Sequence, residues 1–214
     1  MLNRFTLRQI FLIFTLALIS GCVGPLHMQE PARTVGKHNH VMQAGYGSVG
    51  YNFKYTFGLT EDLDLSAQSE VFALAGVRTK YAFINNQDVG FSMASALGYG
   101  ISWGGKHYYA DFLMSYRTEK DFEPYLSYRH TIVKIDEQDF RDEEGDATDT
   151  SNDSIVLVTE ESQYDYGLIS LGSRFHINKR WSVTAEVSTV IDKKNEGLDF
   201  DDLTLVSVAG GLQF

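Results

Sequence analysis

From about residue 39 onward the chain alternates apolar and polar residues in run after run, and no other feature constrains its fold so tightly. Successive strand residues point to opposite faces, so such runs read as strands with one apolar face. From Trp181 to Asp192, Trp181, Val183, Ala185, Val187, Thr189 and Ile191 share one face, opposite Ser182, Thr184, Glu186, Ser188, Val190 and Asp192. Tyr51, Phe53, Tyr55, Phe57 and Leu59 likewise oppose Asn52, Lys54, Thr56 and Gly58. Val89 to Ile101 and Tyr108 to Arg117 repeat the pattern. No segment carries a sustained helical stripe, and the spacing predicts an all-β, antiparallel fold. Predicted strands cover residues 39–48, 50–59, 63–71, 75–84, 88–101, 106–117, 123–135, 163–177, 180–191 and 203–214.

Alternation alone fits a soluble sandwich or barrel with an apolar core, or a transmembrane barrel with an apolar outside and a polar lumen. Connection lengths favour the second. Thr60-Glu61-Asp62, Asn85-Asn86-Gln87, Glu119-Lys120-Asp121-Phe122 and Asn178-Lys179 are short turns at one rim. The other rim has two long connections, Asp136 to Ser162 and Lys193 to Asp202. Outer-membrane barrels pair short periplasmic turns with longer outer loops. The expectation is an up-and-down transmembrane β-barrel of ten strands, with eight as the alternative. Mean hydropathy of −0.18 alongside 13% aromatic residues suits two strand faces of opposite character.

Ahead of the barrel, Arg4 and Arg8 precede an apolar run from Ile10 to Ile19 that ends in Ser20, Gly21 and Cys22. This is the layout of a secretory signal peptide. Ile19-Ser20-Gly21-Cys22 resembles the bacterial lipobox, and Cys22 is the chain's one cysteine. The resemblance implies cleavage before Cys22, a diacylglycerol thioether on its sulfur and acylation of the new amino terminus, palmitate being a typical chain. Val23, rather than Asp, follows the cysteine, which resembles lipoproteins forwarded to the outer membrane by the sorting machinery. Residues 1–21 are thus expected to be a signal, 22–38 a lipidated tether and 39–214 the barrel. With an even strand count both termini fall at the short-turn rim, so the anchor is expected in the periplasmic leaflet.

The final strand reads Leu203-Thr204-Leu205-Val206-Ser207-Val208-Ala209-Gly210-Gly211-Leu212-Gln213-Phe214. It resembles the signal read by the barrel-assembly machinery, with Ser207, Leu212 and Phe214 matching and Ala209 where glycine is typical. Together these features resemble the small outer-membrane β-barrel proteins of Gram-negative bacteria, of the OmpA and OmpX type, over about residues 39–214. The resemblance implies outer-membrane lipid and lipopolysaccharide as surroundings.

If the apolar faces meet lipid, Lys54, Asp64, Glu70, Arg78, Lys80, Asp111, Arg117, Arg129, Arg174 and Glu186 project into the lumen. Charges of both signs in a narrow interior pair, because unpaired buried charge is costly. A lumen plugged by ion pairs is therefore expected, with a narrow pore for small solutes as the alternative. Some barrels of this kind are enzymes: lipid A deacylases, a palmitoyl transferase and aspartyl-type proteases. Here His107 has Ser102 and Asp111 nearby in sequence, while His130 and His176 stand apart, and no motif of those families is present. No enzymatic activity and no cofactor are expected. His38 and His40 read as rim residues rather than metal ligands.

From Asp136 to Asp165 the chain carries twelve acidic residues against Arg141 alone. Asp142, Glu143, Glu144 and Asp146 are weak divalent-cation candidates without the spacing of a calcium hand. The segment reads as a solvated loop able to meet a basic partner or cation-bridged lipopolysaccharide, and Ile155-Val156-Leu157-Val158 within it as a short hairpin. A net charge of −10 argues against nucleic acid. The expected function is that of a lipid-anchored structural or surface-interaction protein of the envelope. The rival is a periplasmic lipocalin-like binding lipoprotein, whose Gly-x-Trp motif is replaced here by Gly45-Tyr46-Gly47-Ser48.

Overall fold

In a computed structural model, residues 25–27, 29–71, 75–102, 104–135, 138–139, 158–159, 162–193 and 204–214 are described. Their strands are β1 (His40–Gly47), β2 (Gly50–Gly58), β3 (Leu63–Glu70), β4 (Ala75–Ile84), β5 (Gly90–Ser102), β6 (Gly105–Arg117) and β7 (Phe122–Ile135). Two short strands, β8 (Gln138–Asp139) and β9 (Val158–Thr159), precede β10 (Ser162–His176), β11 (Trp181–Lys193) and β12 (Thr204–Gln213). Ten of them form one closed antiparallel barrel in the order β1–β7, β10, β11, β12, and β8 pairs only with β9. Every predicted strand is present, with ends within about two residues, because the alternation that marks a strand stops where a turn begins. The expected ten-strand barrel is the fold observed.

Closure comes from β1 and β12, in register from Val41 opposite Gln213 to Gly47 opposite Ser207. His40 and Phe214 extend the seam by exchanging backbone hydrogen bonds at 3.0 and 2.9 Å. A closed ladder leaves no strand edge unpaired. Tight turns at 59–62, 118–121 and 177–180 define the short-turn rim, where Leu59 and Thr118 amides donate back across the turn at 2.8 Å. Asp121 there takes a left-handed φ of 57° and accepts from Arg117 at 2.6 Å. The acidic candidates Asp142, Glu143, Glu144 and Asp146, the run Ile155–Leu157 and Cys22 lie outside the described residues. Val158, the last residue of the expected hairpin, pairs with Asp139 in the β8–β9 ladder.

Outside, the barrel is apolar. Leu97, Leu171, Tyr51, Tyr46 and Ile177 are all more than 60% exposed. Aromatic pairs gather near both rims: Tyr46–Tyr51 and Tyr99–Tyr108 at the long-loop side, Phe122–Phe175 and the His40–Phe57–Phe214 stack at the other. Inside, glycines stand opposite large side chains. Gly98 pairs with Tyr109 and Gly172 with Tyr125, and a Cβ on either glycine would overlap the facing ring.

Residues 25–35 do not form the free tether expected of them. Pro25 to Thr34, Met28 aside, are buried, and they run through the lumen. No period announces this, since the described residues of the segment form neither helix nor strand and their backbone bonds to side chains of the wall.

Candidate functional site: the charged lumen

Eight of the inward charges expected from the sequence, Lys54, Asp64, Glu70, Arg78, Lys80, Asp111, Arg129 and Glu186, are buried inside the barrel. Arg174 also faces inward, partly buried, donating to Thr184 Oγ1 at 3.1 Å. Arg117 stands at the short-turn rim, paired with Asp121. From the last residue of β6, with the inward parity of Asp111 and Ser115, it also lines the polar cavity at that end of the lumen. Glu123, which shares strand parity with Arg129, is a further inward acid that the sequence reading missed.

Two acids organise the wall. Asp111 on β6 accepts from Arg129 through both oxygens, at 2.7 and 2.9 Å, and from Arg78 Nε at 2.8 Å. The two-pronged contact matches the guanidinium fork to the carboxylate plane. The Arg129 guanidinium also lies 4.2 Å from the Tyr109 ring centre. Glu123 accepts from Ser115 at 2.9 Å and lies 3.4 Å from His176 Nε2.

The inserted segment completes the network. Glu30 is held by Lys54 Nζ at 2.8 Å, by Arg78 Nη1 and by Lys80 Nζ. Lys80 also reaches Asp64 at 3.2 Å and the Arg33 carbonyl at 2.7 Å. Arg33 Nε donates to Glu123 at 3.1 Å. Backbone groups of the segment are satisfied by wall side chains, as buried peptide groups must be. Leu26 and His27 amides donate to Glu70 at 2.9 and 3.1 Å, and the Gln29 amide donates to Glu186 at 2.7 Å. Carbonyls of Pro25 and Gln29 accept from Arg129 at 3.0 Å and Gln43 at 2.9 Å. Toward the short-turn rim, the Val35 amide donates to Asp64, 3.2 Å from each of its oxygens. A polar cavity of about 300 Å³, lined by Glu30, Arg33, Lys54, Lys80, Arg174 and His176 among others, lies on this side.

The enzyme-like grouping is not assembled. His107 is buried in the outer half of the lumen with its ring against Tyr109, and neither of its nitrogens has a hydrogen-bond partner among the described residues. The Asp111 carboxylate engages the arginines. His130 faces outward, 3.6 Å from Asp165. His40 Nδ1 lies 2.6 Å from the Tyr55 hydroxyl. Among the described residues, no cluster of His, Cys, Asp and Glu is arranged to hold a metal. The polar inside and apolar outside are the reverse of a lipocalin calyx, so that rival reading does not fit the observed faces.

No family model matches the sequence, and neither does any curated protein. Solved structures similar to this chain include the NanC porin, at 16% identity over 82% of this chain and 98% of that one, TM-score 0.49. The N-terminal β-barrel domain of Pseudomonas aeruginosa OprF matches at 12% identity over 84% and 99%, TM-score 0.40. Ail, the attachment invasion locus protein of Yersinia pestis, matches at 12% identity over 82% and 94%, TM-score 0.30.

Proposed function

We propose that this chain is a lipid-anchored outer-membrane β-barrel, closed by its own amino-terminal segment, that serves the envelope as a structural or surface-interaction protein without enzymatic activity. The observation that carries the reading is the clamp of Lys54, Arg78 and Lys80 on Glu30. It fixes a segment of the chain across the space a pore would need. The apolar exterior with aromatic residues near both rims supports a membrane setting. Acylation at Cys22 would supply the firm attachment that several chains on one residue provide. The acidic stretch joins β7 to β10 at the long-loop rim, which on this reading faces the cell exterior.

Single-channel recording in planar bilayers tests the closure. The intact protein is expected to give no steady currents, and a variant lacking residues 25–35 is expected to conduct; robust currents from intact protein would reject it. A second reading, a narrow pore, draws support from the cavity beside Glu30 and would produce that opposite result. Incorporation of radiolabelled palmitate, abolished by Cys22→Ala, tests the anchor separately.

A further inference from the structure

The direction in which the segment runs determines where its amino end leaves the barrel. Val35 lies at the short-turn rim, against Asp64 near the start of β3, and the Thr34 amide donates to Asn85 in the β4–β5 turn at 3.4 Å. Glu30 follows at mid-barrel, between Lys54 on β2 and Arg78 on β4. Leu26 and His27 then reach Glu70, the last residue of β3 on the long-loop side. There the His27 ring comes so close to Gly47, the last residue of β1, that a Cβ on that glycine would lie 2.8 Å from it. Read backward along the chain, residues 35 to 26 climb from one rim to the other.

From this path we infer that the barrel threads its own amino terminus, so that Cys22 emerges at the long-loop rim and its acyl chains enter the outer leaflet. The inference rests on the lipobox reading of Cys22 and reverses the leaflet expected from strand parity. Cys22 is four residues from Leu26, a reach of at most about 14 Å. β3 is eight residues long, which at about 3.3 Å per residue spans roughly 25 Å. The periplasmic rim is therefore out of range, and residues 29–35 already fill the way back. A closed wall separates the lumen from lipid, and acyl chains gain their stabilisation only in hydrocarbon. The remaining exit is over the long-loop rim. That rim is lowest where the segment arrives: β1, β2 and β3 have 8, 9 and 8 residues, against 13 to 15 in β5, β6, β7, β10 and β11. Outward of Arg129 the lumen lining is mixed: Val133, Tyr164 and Tyr166 are buried there beside His107 and Thr131, whose side-chain polar atoms lack hydrogen-bond partners among the described residues. A peptide backbone continuing outward would find donors and acceptors there.

The test places a short epitope between Val23 and Gly24 of the full-length protein and probes intact Gram-negative cells with antibody, before and after outer-membrane permeabilisation. Threading predicts full signal on intact cells and no more than a twofold gain on permeabilisation. Signal only after permeabilisation would overturn it. Should the insertion prevent folding, Gly24→Cys keeps the chain length and is read with a membrane-impermeant maleimide, using Ser48→Cys as an outer control and Lys179→Cys as an inner one. Labelling like Ser48→Cys supports threading, while labelling like Lys179→Cys, or none in either condition, overturns it. Palmitate incorporation reports lipidation whichever leaflet holds the chains, so failure of the lipobox reading is distinguishable from failure of the threading.

Discussion

Asp111 shows how much of the lumen depends on single side chains. Its carboxylate neutralises Arg78 and Arg129 from adjacent walls, and neither arginine can lose its charge. Asp111→Asn is expected to destabilise the barrel by about 3–5 kcal/mol, the usual effect of removing one partner from a buried ion pair, read as a lower urea midpoint in detergent micelles. Glu30→Gln acts differently. It removes the acid shared by Lys54, Arg78 and Lys80, and is expected to loosen the segment while leaving the strand ladder intact. Protease cleavage within residues 25–35 should rise tenfold or more, with unchanged far-ultraviolet circular dichroism. Strand parity made the wall charges legible, including Glu123 had its shared parity with Arg129 been followed. Glu30 and Arg33 were not legible, because they sit in a stretch with no period and their partners lie far away in the sequence.

Among the elements, strand ends and rim lengths were readable because each local choice agrees with the next: alternation inside a strand, polar residues in a turn. The pairing of inward glycines with tyrosines was not, since it depends on register between strands. Gly98→Ala should cost about 1–3 kcal/mol as overpacking against Tyr109, and Tyr109→Leu in the same chain should recover part of that loss. Just after β12, Phe214 is 57% exposed and stacked on His40 across the closing seam. Deleting Phe214 removes both this contact and the final aromatic of the expected insertion signal. The fraction of protein assembled into heat-modifiable barrel should fall severalfold in cells, as measured by gel shift. Ser207, inward and buried, and Leu212, partly buried opposite Trp181, flank the same seam.

For the whole molecule, one alternating pattern separates an apolar exterior from a charged interior, and that separation explains why many aromatic residues coexist with a mean hydropathy of −0.18. The barrel architecture was legible for this reason. The lumen's occupant was not, because a segment without secondary structure gains its stability from contacts made only after the barrel closes. The central claim is that residues 25–35 belong to the folded interior, and hydrogen–deuterium exchange of the intact protein in micelles addresses it directly. The amides of Leu26, His27, Gln29 and Val35, bonded to buried carboxylates, are predicted to exchange as slowly as those of the barrel strands. Complete exchange of this segment within the shortest labelling time, while the strands stay protected, would show a free tether and contradict the account.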